Sequence, residues 1–238
     1  VVLKAVLPER SLCRLVILGD VATLAEAVQR LTLPLTVAAW QIGDPYPTSA
    51  NMLPVVELSH LSSQDRRPGQ PTAAGGEASF RYVEAGIRLT LANALQGLVT
   101  APISKAMWHA AGHAYPGHTE LLADLTLTPE VRMMLVGSRL RVILVTTHLA
   151  LAKVPAALTS DRIVQTVLMT AEHLTRFHGL SRPRLAVAGL NPHAGENGAF
   201  GDEESRIIAP AVRRASEAGL DVAGPFPADS IFIRAVRG

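Results

Sequence analysis

The sequence predicts an α/β fold in which helices cover a largely parallel sheet. Apolar runs of strand length, such as residues 15–18 and 185–190, alternate with helical patterns such as residues 21–31. This alternation is typical of parallel strands that are connected by helices. Two apolar runs are each followed by a polar cluster that contains a histidine. Because ligands of open α/β sheets bind beyond the carboxyl ends of the strands, these clusters indicate a ligand site.

The first half of the chain contains short apolar runs separated by turn residues. The length and period of each run predict its secondary structure. The predicted strands are residues 15–18, 35–40, 55–58 and 97–100, and the predicted helices are residues 21–31, 78–95 and 120–125. Residues 62–77 are rich in Gly, Pro, Ser and Gln, which predicts a mobile surface loop.

The second half continues the alternation. Its predicted elements are a two-stranded unit at residues 132–136 and 141–145, a helix at 162–178, a strand at 185–190 and a helix at 203–218. Ser160 and Asp161 offer an N-cap for the first of these helices. Gly219 closes the second helix, because glycine readily adopts the left-handed backbone found after a helix.

The composition excludes several classes of protein. The chain has 238 residues, of which 48% are hydrophobic and 18% charged, and its net charge is only +2. We find no basic stripe with interleaved aromatic residues, so we expect no nucleic-acid partner. No apolar stretch reaches about 18 residues, so we expect no membrane span. Cys13 is the single cysteine and the start lacks a signal-peptide pattern, which together favour a reducing, cytoplasmic location.

Three histidines lie in polar clusters and are candidate metal ligands. His148 closes the apolar run of residues 142–147, and His193 lies within the segment Asn-Pro-His-Ala-Gly-Glu. His118 lies in the turn Pro-Gly-His-Thr-Glu, whose backbone donors also suit a phosphate or a carboxylate. A neutral imidazole nitrogen binds divalent transition metals well. The histidines therefore favour a metal-assisted enzyme.

Residues 189–204 form the densest polar cluster of the sequence. They include four glycines, one imidazole, two amides and four carboxylates. Glycines let a backbone turn tightly and approach a ligand. The alternative is that Asp202, Glu203 and Glu204 are only the polar start of a helix, where carboxylates interact favourably with the helix dipole.

Lys105 and Asp229 are two further candidates. Ser104 can cap the helix that Lys105 begins, and the dipole disfavours a cation at that position. Lys105 therefore indicates a nearby anionic ligand, unless it is an ordinary solvated lysine. Asp229 follows a segment with two prolines, and it either points into the ligand crevice or is an ordinary turn carboxylate.

Several common catalytic motifs are missing from the sequence. It contains no G-x-G-x-x-G and no Walker A sequence, so a dinucleotide would bind without the usual Rossmann fingerprint. It also contains no G-x-S-x-G and no H-E-x-x-H. Cys13 lies upstream of the first predicted strand, away from the polar clusters, so we expect no thiol nucleophile.

Five segments, taken together and in order, resemble the 4-hydroxythreonine-4-phosphate dehydrogenase family of pyridoxal phosphate biosynthesis. They are TAPISK at 100–105, GHTE at 117–120, TTH at 146–148, GLNPHAGE at 189–196 and GPFPAD at 224–229. The resemblance implies a three-layer α/β/α fold like that of isocitrate and isopropylmalate dehydrogenases, with a cleft between two subdomains. It also implies a homodimer with a shared active site.

The resemblance implies an activity and its cofactors. NAD or NADP would oxidise the secondary hydroxyl of 4-phosphohydroxy-L-threonine, and the resulting β-keto acid would lose carbon dioxide to give 3-amino-2-oxopropyl phosphate. A divalent metal would be held by three histidines. Zinc is our first expectation for this metal, with cobalt, manganese and magnesium as alternatives.

The resemblance also assigns residues. His148 and His193 match metal ligands, and His118 and Thr119 match substrate-binding positions, so His118 is reassigned from metal to substrate. We place Asn191, Gly195 and Glu196 at the nucleotide cofactor. We predict catalytic roles for two residues, with Lys105 near anionic groups and Asp229 near the metal or the reacting hydroxyl.

The chain departs from the family pattern at both ends. An opening Gly-Asp-Pro-Ala-Gly-Ile-Gly-Pro-Glu segment would precede Val1, and the third metal histidine would follow Gly238 in a Tyr-His-Asp-Gln-Gly segment. The first residue is not Met. We therefore expect residues 1–238 to be one catalytic region truncated at both ends. Either the sequence is a fragment or the protein is damaged as an enzyme.

Other functions remain open from the sequence. Relatives of the family oxidise other phosphorylated four-carbon acids, such as 4-phosphothreonate or 4-phosphoerythronate, or cis-dihydrodiols of aromatic acids. The intact GHTE segment favours a phosphorylated substrate over a dihydrodiol. A non-catalytic binding or scaffold protein and a metal-dependent hydrolase are the remaining alternatives.

Overall fold

The structure is a computed structural model that describes residues 2–9 and 13–237. It divides into two compact units, Val1–Val131 and Arg132–Gly238. Both contain parallel strands with helices packed on them, which confirms the predicted α/β class. The predicted points of truncation, Val1 and Gly238, lie outside the described residues. No helix among the described residues has the length and apolar character needed to cross a membrane.

Unit 1 is built on a three-stranded parallel sheet. Its strands are β1 (Ile17–Gly19), β2 (Thr36–Ala39) and β3 (Met52–Glu57), in the order β1-β3-β2. Strand β3 is central: its Val55 pairs with Ile17 of β1 and with Ala39 of β2. Leu53 and Val55 have no exposed surface, as expected for a strand that is covered on both faces.

Five α-helices occur in the part of unit 1 that the structure describes. They are α1 (Val2–Glu9), α2 (Val21–Arg30), α3 (Ala73–Leu91), α4 (Lys105–Ala110) and α5 (His118–Leu125). Helix α2 begins after Asp20, whose Oδ1 accepts a 2.7 Å hydrogen bond from the Thr23 backbone N–H. A core cluster of unit 1 forms around the aromatic side chains of Phe80 and Trp108, which meet edge to face.

Unit 2 contains two pairs of strands. Strands β4 (Met134–Val136) and β5 (Arg141–Ile143) form an antiparallel pair, and β6 (Leu185–Ala188) and β7 (Val222–Phe226) form a parallel pair. Its helices are α6 (Val154–Ala157), α7 (Ser160–His178), α8 (Ala209–Glu217) and α9 (Ala228–Arg237). Residues 204–208 form one wide helical turn that leads into α8. The core joins Ile163 and Val167 of α7 to Ile208 and Ala211.

The predicted two-stranded unit, the helix at 21–31 and the N-cap at Ser104 are confirmed. The strand at residues 97–100 is wrong: this segment forms no strand, and Val99 is 96% exposed. A strand needs a hydrogen-bonded neighbour, and the apolar Leu98 instead packs on the aromatic cluster of α3 and α4.

Two predicted helix starts are also wrong. Helix α3 begins at Ala73 rather than at residue 78, because the Thr72 hydroxyl caps the Gly75 backbone N–H at 3.1 Å. The predicted loop at 62–77 is therefore shortened to residues 62–72. Helix α7 is capped by Thr159, not by Ser160 and Asp161. The Ser160 hydroxyl donates instead to the Ile207 carbonyl at 2.8 Å, which fastens α7 to the wide turn before α8.

Candidate active site

His193 lies in a stretch of left-handed backbone after β6, which we call the left-handed turn (residues 193–197). The φ angles of its five residues are 53°, 54°, 81°, 42° and 55°. Left-handed backbone costs roughly 1–2 kcal/mol for each residue other than glycine, so the four such residues cost on the order of 4–8 kcal/mol. Such strain persists only where the surroundings enforce it, and it is concentrated at functional sites.

A buried carboxylate holds this segment. Glu204 is 5% exposed, and its Oε1 accepts hydrogen bonds of 2.7 Å from the backbone N–H groups of both Leu190 and Asn191. Its Oε2 accepts a third bond of 3.0 Å from Asn191 Nδ2. A hydrogen bond to a charged group contributes roughly 1.5–3 kcal/mol, so the three together match the strain of the turn in size.

The hydrogen bonds to Glu204 affect the pKa of its carboxyl group. Burial raises the pKa of the Glu204 carboxyl, but the bonds from the backbone and side chain of Asn191 and from the backbone of Leu190 outweigh it, and the pKa lies below its ordinary value. The carboxylate is therefore the stable form. The sequence left Glu204 either in a ligand-binding cluster or at a polar helix start, and neither alternative included its contacts with Leu190 and Asn191.

The predicted cofactor residues have packing roles of their own. Asn191 Nδ2 donates to Glu203 at 2.7 Å as well as to Glu204, so both of its amide protons are engaged. Gly195 is buried, and a Cβ there would lie 2.7 Å from Glu204 Oε2, so only glycine fits. Glu196 is exposed at the surface of the turn. A contact of these residues with a nucleotide remains a prediction.

The structure brings together two predicted site residues from distant segments. Nδ1 of His193 lies 3.3 Å from Oδ2 of Asp229, which is in the first turn of α9. Both side chains are more than half exposed. A carboxylate that holds Nδ1 of an imidazole leaves Nε2 directed towards a ligand, which is the usual arrangement behind a metal-binding histidine.

His148, the other predicted metal histidine, follows β5 and is exposed. Its φ of 56° is also left-handed, a conformation that few residues other than glycine adopt. No group of three or more His, Cys, Asp and Glu side chains with the geometry of a metal site occurs within residues 2–9 and 13–237. Metal binding by His148 and His193 remains a prediction.

A separate polar cluster in unit 1 contains the predicted substrate residues. Helix α5 begins at His118 and has no side-chain cap, because Gly117 precedes it. A Cβ at Gly117 would lie 3.8 Å from Lys105 Nζ, so the lysine at the start of α4 reaches the start of α5. Thr119, in the first turn of α5, is partly buried. The cluster combines an ammonium group with backbone donors, which suits an anion.

The imidazole of His118 faces this cluster with an unsatisfied atom. Its Nε2 is buried and has no hydrogen-bond partner among the described residues, although its ring packs edge-on against Trp108 at 5.8 Å. Burial lowers the pKa of His118, and the positive charge of Lys105 lowers it further. A buried nitrogen without a partner is costly, so this atom is a natural contact for a bound ligand.

The remaining described histidines include one with a clear packing role. His113 stacks on Phe80 with ring centroids 3.5 Å apart, and its Nε2 lies 2.6 Å from Glu77 Oε2. This hydrogen bond is the main reason why the pKa of Glu77 lies below its ordinary value. His113 thus connects α3 to the segment after α4.

Comparison with known proteins decides the family. The family described as "Pyridoxal phosphate biosynthetic protein PdxA" matches residues 11–238. The chain belongs to the PdxA family. A 4-hydroxythreonine-4-phosphate dehydrogenase of Geobacter metallireducens is 44% identical over 229 residues, which cover 96% of this chain and 67% of the relative. A D-threonate 4-phosphate dehydrogenase of Cupriavidus necator is 42% identical over 231 residues, which cover 96% of this chain and 68% of the relative.

Solved structures agree with this assignment. The crystal structure of a 4-hydroxythreonine-4-phosphate dehydrogenase from Burkholderia phymatum has a TM-score of 0.83 and 37% identity to this chain. The match covers 100% of this chain and 72% of the other. The predicted family and fold are therefore confirmed, and this PdxA-family chain is an oxidoreductase of the dehydrogenase type.

Proposed function

We propose that the chain oxidises 4-phosphohydroxy-L-threonine with NAD or NADP and then decarboxylates the product to 3-amino-2-oxopropyl phosphate. The hydroxyl-bearing carbon gives a hydride to the nicotinamide, and the hydroxyl proton leaves. The β-keto acid then loses its carboxylate as carbon dioxide, and the carbon that carried it takes up a proton. The observation that carries the proposal is the buried Nε2 of His118, which has no partner among the described residues and whose ring is close enough to Lys105 to feel its charge. This pair suits the oxygens of a phosphorylated acid.

Lys105, His118 and Thr119 would bind the anionic part of the substrate. The ammonium of Lys105 supplies charge. Burial and then the charge of Lys105 lower the pKa of His118, which favours the neutral imidazole. A neutral imidazole can donate from Nε2 to an oxygen without repelling the lysine. The Thr119 hydroxyl, one residue along the first turn of α5, can donate as well.

His148 and His193 would hold a divalent metal, with zinc first and cobalt, manganese or magnesium as alternatives. When bound, a divalent cation polarises the reacting hydroxyl and stabilises negative charge on the oxygen during oxidation and decarboxylation. The pairing of His193 Nδ1 with Asp229 fits this role, since it fixes the tautomer whose Nε2 is free to bind a cation. Asp229 thus acts through His193.

A second substrate is favoured by a specific comparison. The D-threonate 4-phosphate dehydrogenase of Cupriavidus necator is 42% identical to the chain, against 44% for the 4-hydroxythreonine-4-phosphate dehydrogenase of Geobacter metallireducens. This difference is too small to separate the two substrates. D-threonate 4-phosphate is therefore the alternative, and it presents the same phosphate to Lys105 and His118.

An assay of the purified chain tests the proposal. Each phosphorylated acid is supplied with NAD or NADP and with Zn²⁺, Co²⁺, Mn²⁺ or Mg²⁺, and both reduced nicotinamide and carbon dioxide are measured. We expect reduced nicotinamide and carbon dioxide in equal amounts from one acid. Lys105→Ala should lower kcat/KM by about 10–100-fold, because one hydrogen bond to a charged group is lost. Formation of no reduced nicotinamide under any condition would contradict the proposal.

We further propose that the chain works as a cytoplasmic homodimer, as the family resemblance implies. Exposed apolar side chains on β4 support a subunit contact: Leu135 is 56% and Val136 60% exposed. Sedimentation of the purified chain measures its oligomeric state. A monomer at all concentrations would contradict the dimer.

A further inference from the structure

The left-handed turn that carries His193 is anchored through the two residues before it and through the contact of His193 with Asp229. Backbone bonds near the turn run from Ala194 N–H to Asn191 O at 3.1 Å, and from Ala199 N–H to Glu196 O and Phe200 N–H to Gly195 O, both at 3.2 Å. The His193 side chain is 61% exposed, so packing does little to fix it. The buried residue that the segment before the turn contacts is Glu204, which accepts from the backbone N–H groups of both Leu190 and Asn191.

Glu204 joins the turn to the rigid part of unit 2. It begins the wide helical turn at 204–208, whose Ile208 is 2% exposed within the core. The same turn is fastened to α7 through the bond from Ser160 to Ile207. On its other side, the Glu204 carboxylate accepts from Leu190 and Asn191, immediately before the left-handed turn.

The contact with Gly195 defines the distance between carboxylate and turn. A Cβ at Gly195 would lie 2.7 Å from Glu204 Oε2, so the carboxylate lies directly against the middle of the turn. Gly189 is close as well, with its Cβ position 3.1 Å from Glu204 Oε1 and 3.0 Å from the Ala194 Cα. The carboxylate therefore fills the space beneath the turn while it binds the two residues before it.

We propose that Glu204 is a positioning residue that holds His193 in register with Asp229. It acts through Asn191 and Gly195 and touches neither substrate nor cofactor. A neutral side chain of the same shape cannot replace it. In Glu204→Gln, the new amide oxygen could accept from the backbone of Leu190 and Asn191, but the new NH₂ group would then face the NH₂ group of Asn191. The functional part of this inference rests on the proposed role of His193 as a metal ligand. The way in which Glu204 anchors the turn does not depend on that role.

The test uses the full chain without metal or substrate and compares Glu204→Gln with Glu217→Gln. Glu217 is an exposed residue of α8, so its variant controls for the loss of one negative charge. Two readouts are recorded. One is the amide hydrogen exchange of residues 189–198 relative to α7, and the other is the ring carbon–proton resonance of His193, assigned with His193→Gln.

We expect Glu204→Gln to speed exchange in residues 189–198 by about tenfold or more and to shift the His193 ring resonance, while exchange in α7 stays within about twofold. Glu217→Gln should change neither readout. Glu204→Asp, which keeps a carboxylate but is shorter, should recover part of the protection. In active protein, Glu204→Gln should lower kcat by about 10–100-fold with a smaller change in KM.

Two results would overturn the inference. One is wild-type exchange and an unshifted His193 resonance in Glu204→Gln. The other is faster exchange throughout unit 2, which would make Glu204 a general stabiliser of the fold. If the wild-type chain shows no dehydrogenase activity, the proposed function fails on its own, and the two readouts without metal or substrate still decide the role of Glu204.

Discussion

Two adjacent glycines of α3 allow a matched test of how closely α3 approaches α4. A Cβ at Gly76 would lie 2.2 Å from the Met107 carbonyl oxygen and 2.6 Å from its carbon, and these backbone atoms cannot move without moving α4. A Cβ at Gly75 would meet only the Thr72 hydroxyl oxygen at 3.5 Å, an ordinary contact. Gly76→Ala should therefore destabilise unit 1, and Gly75→Ala should not.

The magnitudes follow from two opposing effects. Alanine in place of a helical glycine gains about 0.5–1 kcal/mol, and this gain is common to both variants. Overpacking costs about 1–3 kcal/mol, and a clash with backbone belongs at the upper end of that range. We expect Gly76→Ala to lose about 1–2 kcal/mol of the free energy of unfolding and Gly75→Ala to gain about 0.5–1 kcal/mol.

Urea unfolding monitored by tryptophan fluorescence measures this difference. Trp108 is fully buried in unit 1, next to the contact of α3 with α4, and it reports on the unfolding of that unit. With an m-value of about 2 kcal/mol/M, the midpoints of the two variants should differ by about 1 M urea. A Gly76→Ala protein as stable as Gly75→Ala would refute the close approach of the two helices. Because α4 begins at Lys105, that result would also weaken the proposed anion site.

Three further predictions concern buried polar groups. Asp20→Ala should lower the free energy of unfolding, measured in urea, by about 2–4 kcal/mol, because the Thr23 and Leu61 N–H groups each lose an acceptor at 2.7 Å. The control variant Asp44→Ala, at an exposed position, should cost less than about 1 kcal/mol. The pKa of Glu204 is lowered in the folded state, so its stabilisation is complete above the unfolded pKa near 4.5 and is lost as pH falls through the folded pKa. The difference in free energy of unfolding between wild type and Glu204→Gln should therefore shrink on acidification. A difference that stays constant with pH would argue against a lowered pKa of Glu204. Lys105→Ala should raise the pKa of His118, since the charge of Lys105 lowers it, and an NMR titration with an unchanged midpoint would show that the two side chains do not interact.

Strong local patterns allowed much of the fold to be predicted from the sequence. The helix after Asp20, the hairpin around Gly137 and the cap at Ser104 all depend on residues within a few positions of one another. His193 and Asp229 were singled out because they lie in recognisable segments that follow strands β6 and β7, and the structure brings these two side chains together. Each of these predictions rests on spacing, which a linear sequence displays directly.

Only the tertiary structure decided the features that depend on distant partners. Residues 97–100 have the composition of a strand, but no neighbouring strand accepts them. Gly76 lies inside a helix, where glycine is unfavourable. Its presence is explained by the Met107 carbonyl of another helix, which leaves no room for a side chain. Glu204 looks like one of three acids at a helix start until its bonds to Leu190 and Asn191 are seen. Hydrogen bonds and close packing between distant residues have no period along the chain, so local patterns do not reveal them.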